Sequence, residues 1–217
     1  MEWASYSKLA DQNYFLVTEK LLDIERWIEM NGGERLTDAL YPTRRFEYPW
    51  VFTNIAPWSD MILDAGGGPA IFQYLLSKSF KKVWNIDLNQ EWIDKVNNTK
   101  DITGTFGNLD ILLGDISNLS QWDDDIFCST TCISAIEHGD SGKIEQIINE
   151  LLRVTRGPVL ITVDVGYGDQ LLHPTLLSLL GDIFSFNIPS KPSDIMRSRT
   201  YQKQLFEIAC IKLEGKY

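Results

Sequence analysis

Leu9, Leu16, Val17, Leu21, Ile24, Trp27 and Ile28 recur at helical spacing, and Asn31-Gly32-Gly33 follows as a stop, so residues 7–30 are predicted to form a helix. Residues 34–60 break that rhythm. Pro42, Pro49 and Pro57 fall among many aromatics, and the segment reads as irregular. From Met61 the pattern changes again: short apolar runs alternate with amphipathic stretches, as βα units on a parallel sheet require. The predicted strands are 61–64, 82–87, 109–113, 126–133, 159–165 and 206–213. The predicted helices are 70–79, 90–98, 143–155 and 171–184. The run Asp123-Asp124-Asp125 interrupts this alternation and reads as a solvated turn.

Composition narrows the class. A chain of 217 residues suits one domain, read here as a helical and aromatic cap over 1–58 and a core over 59–217. With 44% hydrophobic and 23% charged residues it has the makeup of a folded protein. The net charge of −10 argues against a nucleic acid as main partner. No basic segment followed by an apolar run opens the chain, so no signal peptide is expected. The greasiest stretch, residues 171–186, is broken by His173, Pro174 and Asp182 and is too short to span a bilayer. Cys128, Cys132 and Cys210 match no zinc or redox spacing, and reduced thiols in a cytoplasmic protein are the simplest expectation.

The candidate chemistry starts at Asp64-Ala65-Gly66-Gly67-Gly68, where a strand meets a helix. Glycines there allow a tight turn and let a ligand lie against the backbone. A dinucleotide site would call for G-x-G-x-x-G, but the third position falls on Ile71. Asp64 would also set a negative charge beside a diphosphate, and a ligand with a positive group near the turn reverses that sign.

S-adenosylmethionine has such a group, an α-ammonium. Asp64 to Gly68 resembles the first motif of the class I methyltransferases, D-x-G-x-G, with Ala70 where a further glycine is often seen. The resemblance continues. Val83 to Asp87 ends a second strand in an acid about 20 residues on, Leu112-Leu113-Gly114-Asp115-Ile116 resembles the next motif, and Asp125 to Cys128 through Glu137-His138 resembles the fourth-strand motif. What the resemblance implies is a doubly wound, mostly parallel α/β sheet of class I methyltransferase type with an N-terminal helical cap. It also implies S-adenosylmethionine as cofactor. Asp64, Gly66, Gly67 and Gly68 would surround its methionine end, and Asp87 would accept the ribose hydroxyls. Asp115 would meet the adenine amino group, Ile116 would pack on the ring, and Leu88 and Ser134 would complete the set. Taken alone, a strand-end acid such as Asp87 is more often a helix cap, here for a helix starting near Gln90. The family usually ends in an antiparallel hairpin; one terminal strand is visible, and its partner is sought in 186–204.

Arg44-Arg45-Phe46-Glu47-Tyr48-Pro49-Trp50 stands just before the first strand. Its E-Y-P-W portion is similar to methyltransferases found with glycan-biosynthesis genes. One reading is aromatic packing. The other faces the ligand: Arg44 or Arg45 pairs with the methionine carboxylate, or Tyr48 or Trp50 caps the sulfonium by cation–π attraction.

Methyl transfer needs alignment of donor and acceptor, and a hydroxyl acceptor needs a base. His138 follows the fourth strand and is the candidate, with Glu137 or Asp140 as alternative partners for a merely structural imidazole; His173 reads as a cap or surface residue. Asp140, Asp164 and Asp169 could offer oxygens to magnesium, but their spacing is not distinctive and no metal is predicted. After the fourth strand, Ser129-Thr130-Thr131-Cys132-Ile133-Ser134 lacks the N-P-P-Y of adenine amino methylation, and no Pro-Cys nucleophile is present. The expected acceptor is a small molecule or a carbohydrate. A cofactor-binding regulator and an NAD-dependent oxidoreductase stay as alternatives, and the oligomeric state is not legible.

Overall fold

The computed structural model describes residues 13–34, 43–167, 170–171, 196–199 and 205–213. Helix α1 (Asn13–Met30) buries Val17, Leu21, Ile24 and Ile28, one stripe at helical spacing, and leaves Leu16 in solvent. Residues 7–12 of the predicted helix lie outside the described residues.

Helix α2 (Arg44–Asn54) corrects the expectation of an irregular segment over 34–60. Pro49 sits inside it, where a proline costs about 3 kcal/mol in a helix interior. Apolar burial outweighs that cost: Tyr48, Trp50 and Val51 are all enclosed. Thr53 Oγ1 donates to the Pro49 carbonyl at 2.8 Å, which occupies that acceptor.

The α/β alternation then follows as β1 (Met61–Ala65), α3 (Phe72–Ser79), β2 (Lys82–Asp87), α4 (Gln90–Thr103), β3 (Leu109–Leu113), β4 (Ser129–Ile133), α5 (Ile144–Val154) and β5 (Val159–Tyr167). The short β6 (Gln170–Leu171), β7 (Met196–Arg199) and β8 (Leu205–Leu213) complete it. Among the described residues the sheet order is β3-β2-β1-β4-β5-β8-β7, with β6 paired to β5 off this path. The first five strands are parallel, β8 runs antiparallel to β5, and β7, antiparallel to β8, returns to the direction of the first five. The chain therefore winds outward from β1 in both directions, as doubly wound sheets do.

The inner strands β1, β2, β4 and β5 are buried on both faces, and β1, β2 and β5 accordingly read as largely apolar runs. Ile62, Val83 and Leu160 face the layer that holds α1, α2 and α3. Leu63, Ile86 and Ile161 face the layer that holds α5. The hairpin partner sought in 186–204 is β7, paired with β8 from Met196↔Ile208 to Arg199↔Leu205. The fourth strand is shorter than expected. Asp123, Asp124 and Asp125 are exposed, Asp125 has φ 59°, and only Phe127 bridges to Thr155 before β4 begins at Ser129. Of the predicted helix 171–184, Leu171 belongs to β6, and the rest lies outside the described residues, as do His173 and Asp169. Cys128, Cys132 and Cys210 are free and buried.

Candidate active site

The carboxyl ends of the parallel strands open onto one cleft of about 1000 Å³. Its floor is the loop after β1. Gly66 and Gly68 have φ of 67° and 55°, a conformation that disfavours a side chain. Gly67 is needed for a different reason: a Cβ there would clash with Asp64 Oδ2 and lie 2.7 Å from Asn85 Nδ2. The loop is braced from below. Gln73 Nε2 donates to the carbonyls of Gly68 (3.1 Å) and Ala70 (2.9 Å), and Asn85 Nδ2 donates to Gly68 O and to Gln73 Oε1. Sequence reasoning missed both. The available signal was Asn85 itself, an amide in the middle of an apolar strand, which must find partners when buried.

Asp64, next to last in β1, is almost fully buried and accepts a hydrogen bond from Thr131 Oγ1 at 2.7 Å. Burial pushes its carboxyl up to about 7; Asp87 adds to the shift, and the Thr131 bond and the Arg44 charge oppose it. Asp87 ends β2 and accepts from Gly68 N and Asn89 N. Asp115 follows β3, where its Oδ1 accepts from Ser117 N at 2.8 Å and its Oδ2 pairs with Lys143 Nζ at 3.0 Å. The Ser117 hydrogen bonds and the Lys143 charge hold this carboxyl below its usual range, against a smaller opposing effect of burial. Ile116 lines the cleft beside it, and Leu88 and Trp92, both largely exposed, form a facing lip.

Helix α2 contributes Arg44 and Tyr48. Tyr48 stacks on Phe72 with centroids 4.7 Å apart, and the Arg44 guanidinium lies 5.9 Å from the Tyr48 ring. Trp50 is not brought to the cleft: it is buried in the core on the α1–α3 side. On a helix, Tyr48 and Trp50 two residues apart cannot share one face. The side chain of Arg45 lies outside the described residues.

Behind Arg44 is a residue that sequence reasoning did not single out. Glu47 is fully buried. One carboxylate oxygen accepts from Ser134 Oγ and Thr162 Oγ1, both at 2.6 Å, and the other from Arg44 Nη1 at 2.5 Å. Burial works against the charge on Arg44, and the Glu47 carboxylate, with smaller effects of Tyr48 and Asp164, more than offsets it and raises the guanidinium pKa. Ser134 lines the cleft after β4 with φ 45°, left-handed for a non-glycine residue.

His138 ends the 3₁₀ turn Ile136–His138 and lines the cleft from an exposed position. Its imidazole makes no hydrogen bond to Glu137 or Asp140 among the described residues. Asp140 instead accepts from Gly142 N at 2.9 Å. Glu137 turns inward and accepts from Asp164 N at 3.2 Å, and burial pushes its carboxyl up to about 8. Among the described residues no three His, Cys, Asp or Glu side chains converge to hold a metal ion. No described helix is long and apolar enough to cross a membrane.

Residues 62–157 match the model of a methyltransferase domain. No curated protein matches the chain by sequence. Solved structures share its fold. A SAM-dependent methyltransferase of Methanosarcina mazei superimposes with a TM-score of 0.56 at 18% identity, over 77% of this chain and 98% of that one. The magnesium protoporphyrin IX methyltransferase of Synechocystis PCC 6803, solved with bound SAM, gives 0.55 at 12% identity over 93% and 98%. A protein of Pyrococcus horikoshii OT3 gives 0.52 at 17% identity over 77% and 89%. The strand order and the glycine loop with its strand-end acids agree with the matched domain: residues 62–157 are similar to a methyltransferase domain, and the fold is that of the class I S-adenosylmethionine-dependent methyltransferases.

Proposed function

We propose that the chain methylates a small-molecule or carbohydrate acceptor in this cleft. The observation that carries the reading is the row of Asp64, Asp87 and Asp115 at the ends of three neighbouring strands, gathered around one glycine loop. The residues fit the cofactor. Asp64 offers a carboxylate to the α-ammonium, a charge-assisted contact strengthened by exclusion of water. Gly67 leaves room for a ligand to lie on the backbone. Asp87 accepts the ribose hydroxyls, Asp115 faces the adenine amino group, and Leu88 and Ile116 supply apolar contact to the ring. Arg44 pairs with the methionine carboxylate.

When bound, S-adenosylmethionine supplies an electrophilic methyl group, and the chain's own residues have to orient an acceptor toward it. His138 takes the proton of an acceptor hydroxyl on an imidazole nitrogen. The cleft cations Arg44 and Lys143 are each paired with a carboxylate, and the net charge is −10, so a polyanionic acceptor is disfavoured.

Isothermal titration with S-adenosylhomocysteine and with NAD tests the cofactor reading. Binding of the first and not the second is expected; the reverse would make the chain an oxidoreductase. Incorporation of labelled methyl across small molecules, sugars, proteins and nucleic acids tests the acceptor class. Tight binding with no incorporation into any of them would leave a cofactor-binding regulator instead.

A further inference from the structure

We propose that Glu47 is a positioning residue for the amino-acid end of the cofactor, a role that rests on the reading of the cleft above. Glu47 touches no ligand space itself: Arg44 and Ser134 line the cleft, and Glu47 sits behind both. Its hydrogen bonds tie three elements together. Arg44 comes from the cap helix α2, Ser134 from the end of β4, and Thr162 from β5. An arginine side chain has many rotamers, and a fixed partner removes the entropy of choosing among them. The carboxylate also offsets the desolvation of the partly buried Arg44 guanidinium. The same group ties down Ser134, whose left-handed backbone is otherwise unfavourable.

The chemistry of the pair gives a sharp variant. In Glu47→Gln one end of the side chain is a donor. If its oxygen keeps the two hydroxyls of Ser134 and Thr162, its NH₂ faces the Arg44 guanidinium, donor against donor. Arg44 then loses its fixed direction, while the adenosine side of the cleft is untouched.

Two probes separate positioning from general damage. S-adenosylhomocysteine carries the amino-acid arm; 5′-methylthioadenosine is the same nucleoside without it. For Glu47→Gln, titration is expected to show S-adenosylhomocysteine weakened by at least about tenfold and 5′-methylthioadenosine changed by less than about twofold. Equal weakening of both, or of neither, overturns the proposal. Thr162→Val, a buried near-isostere outside the cleft that removes one of the Glu47 donors, serves if Glu47→Gln does not fold. It is expected to show the same selective loss, and unchanged S-adenosylhomocysteine affinity overturns the proposal. Wild-type protein that binds neither probe would sink the reading of the cleft itself, whereas wild-type binding with no selective loss in the variants sinks only the role of Glu47.

Discussion

Asp87 Oδ2 accepts a hydrogen bond from Gly68 N at 3.0 Å, so the acid at the end of β2 is fastened to the glycine loop after β1. Its other oxygen accepts from Asn89 N at 2.8 Å. The helix cap is not Asp87 but Asn89, whose side chain accepts from Glu91 N and Trp92 N. Asp87→Ala therefore removes two backbone-to-carboxylate hydrogen bonds and is expected to cost about 1–3 kcal/mol of stability. It should also weaken S-adenosylhomocysteine by at least about tenfold, because ribose acceptor and loop brace are lost together. Calorimetric melting and ligand titration on the one variant check both. A lowered melting temperature with intact affinity would refute the ribose role.

Gly67→Ala is expected to damage the site through sterics alone. The added methyl falls on the Asp64 carboxylate, with Asn85 Nδ2 close behind. Asp64 has to leave its Thr131 partner or the loop has to lift, at a cost of about 1–3 kcal/mol. Gly107→Ala is the control: nothing lies within 4 Å of its Cβ. Its melting temperature and S-adenosylhomocysteine affinity should match wild type. If Gly67→Ala matches it in both measurements, the close approach of Asp64 to the loop is wrong.

The difference between these residues and Glu47 explains what the sequence made legible. Asp64 and its glycines are contiguous, and Asp87 and Asp115 end apolar runs, so each is announced by its neighbours. The alternation of runs likewise revealed the parallel strands, because strands such as β1 and β5, buried on both faces, leave a largely apolar signature. Helix α2 was hidden by Pro49, a local signal that tertiary burial overrode. Glu47 was hidden more deeply. Its partners Ser134 and Thr162 are 87 and 115 positions away, and nothing local distinguishes a latch from a surface acid.

His138→Ala is expected to lower kcat by about 10²–10⁴-fold with a hydroxyl acceptor. The imidazole is exposed and without a carboxylate partner among the described residues, so the fold should be indifferent. S-adenosylhomocysteine affinity should also hold, since the three acids proposed to hold the cofactor, Asp64, Asp87 and Asp115, stand on or just after β1, β2 and β3. Steady-state kinetics on the acceptor found by methyl incorporation decide the matter. An unchanged kcat would show that alignment suffices and that no base acts from this position.

Asp64 gives the cofactor site a pH dependence whose sign can be worked out. Its carboxyl is pushed up to about 7, chiefly by burial. Between its unfolded value near 3.8 and about 7, the native protein holds a proton that the unfolded chain has released. Stability is therefore greatest below the unfolded value and declines as pH rises toward about 7. Asp164, pushed up to about 6, and Glu137, pushed up to about 8, act in the same direction, both mainly through burial. Ligand affinity should move the opposite way. Only ionised Asp64 attracts the α-ammonium, and the ionised fraction rises about tenfold between pH 6 and pH 8 for a group titrating near 7. S-adenosylhomocysteine is thus expected to bind about tenfold more tightly at pH 8 than at pH 6. In Asp64→Asn the affinity should be weaker and its pH dependence flattened. Titration of both proteins at the two pH values checks this, and a pH profile identical in wild type and variant would remove Asp64 from contact with the ammonium.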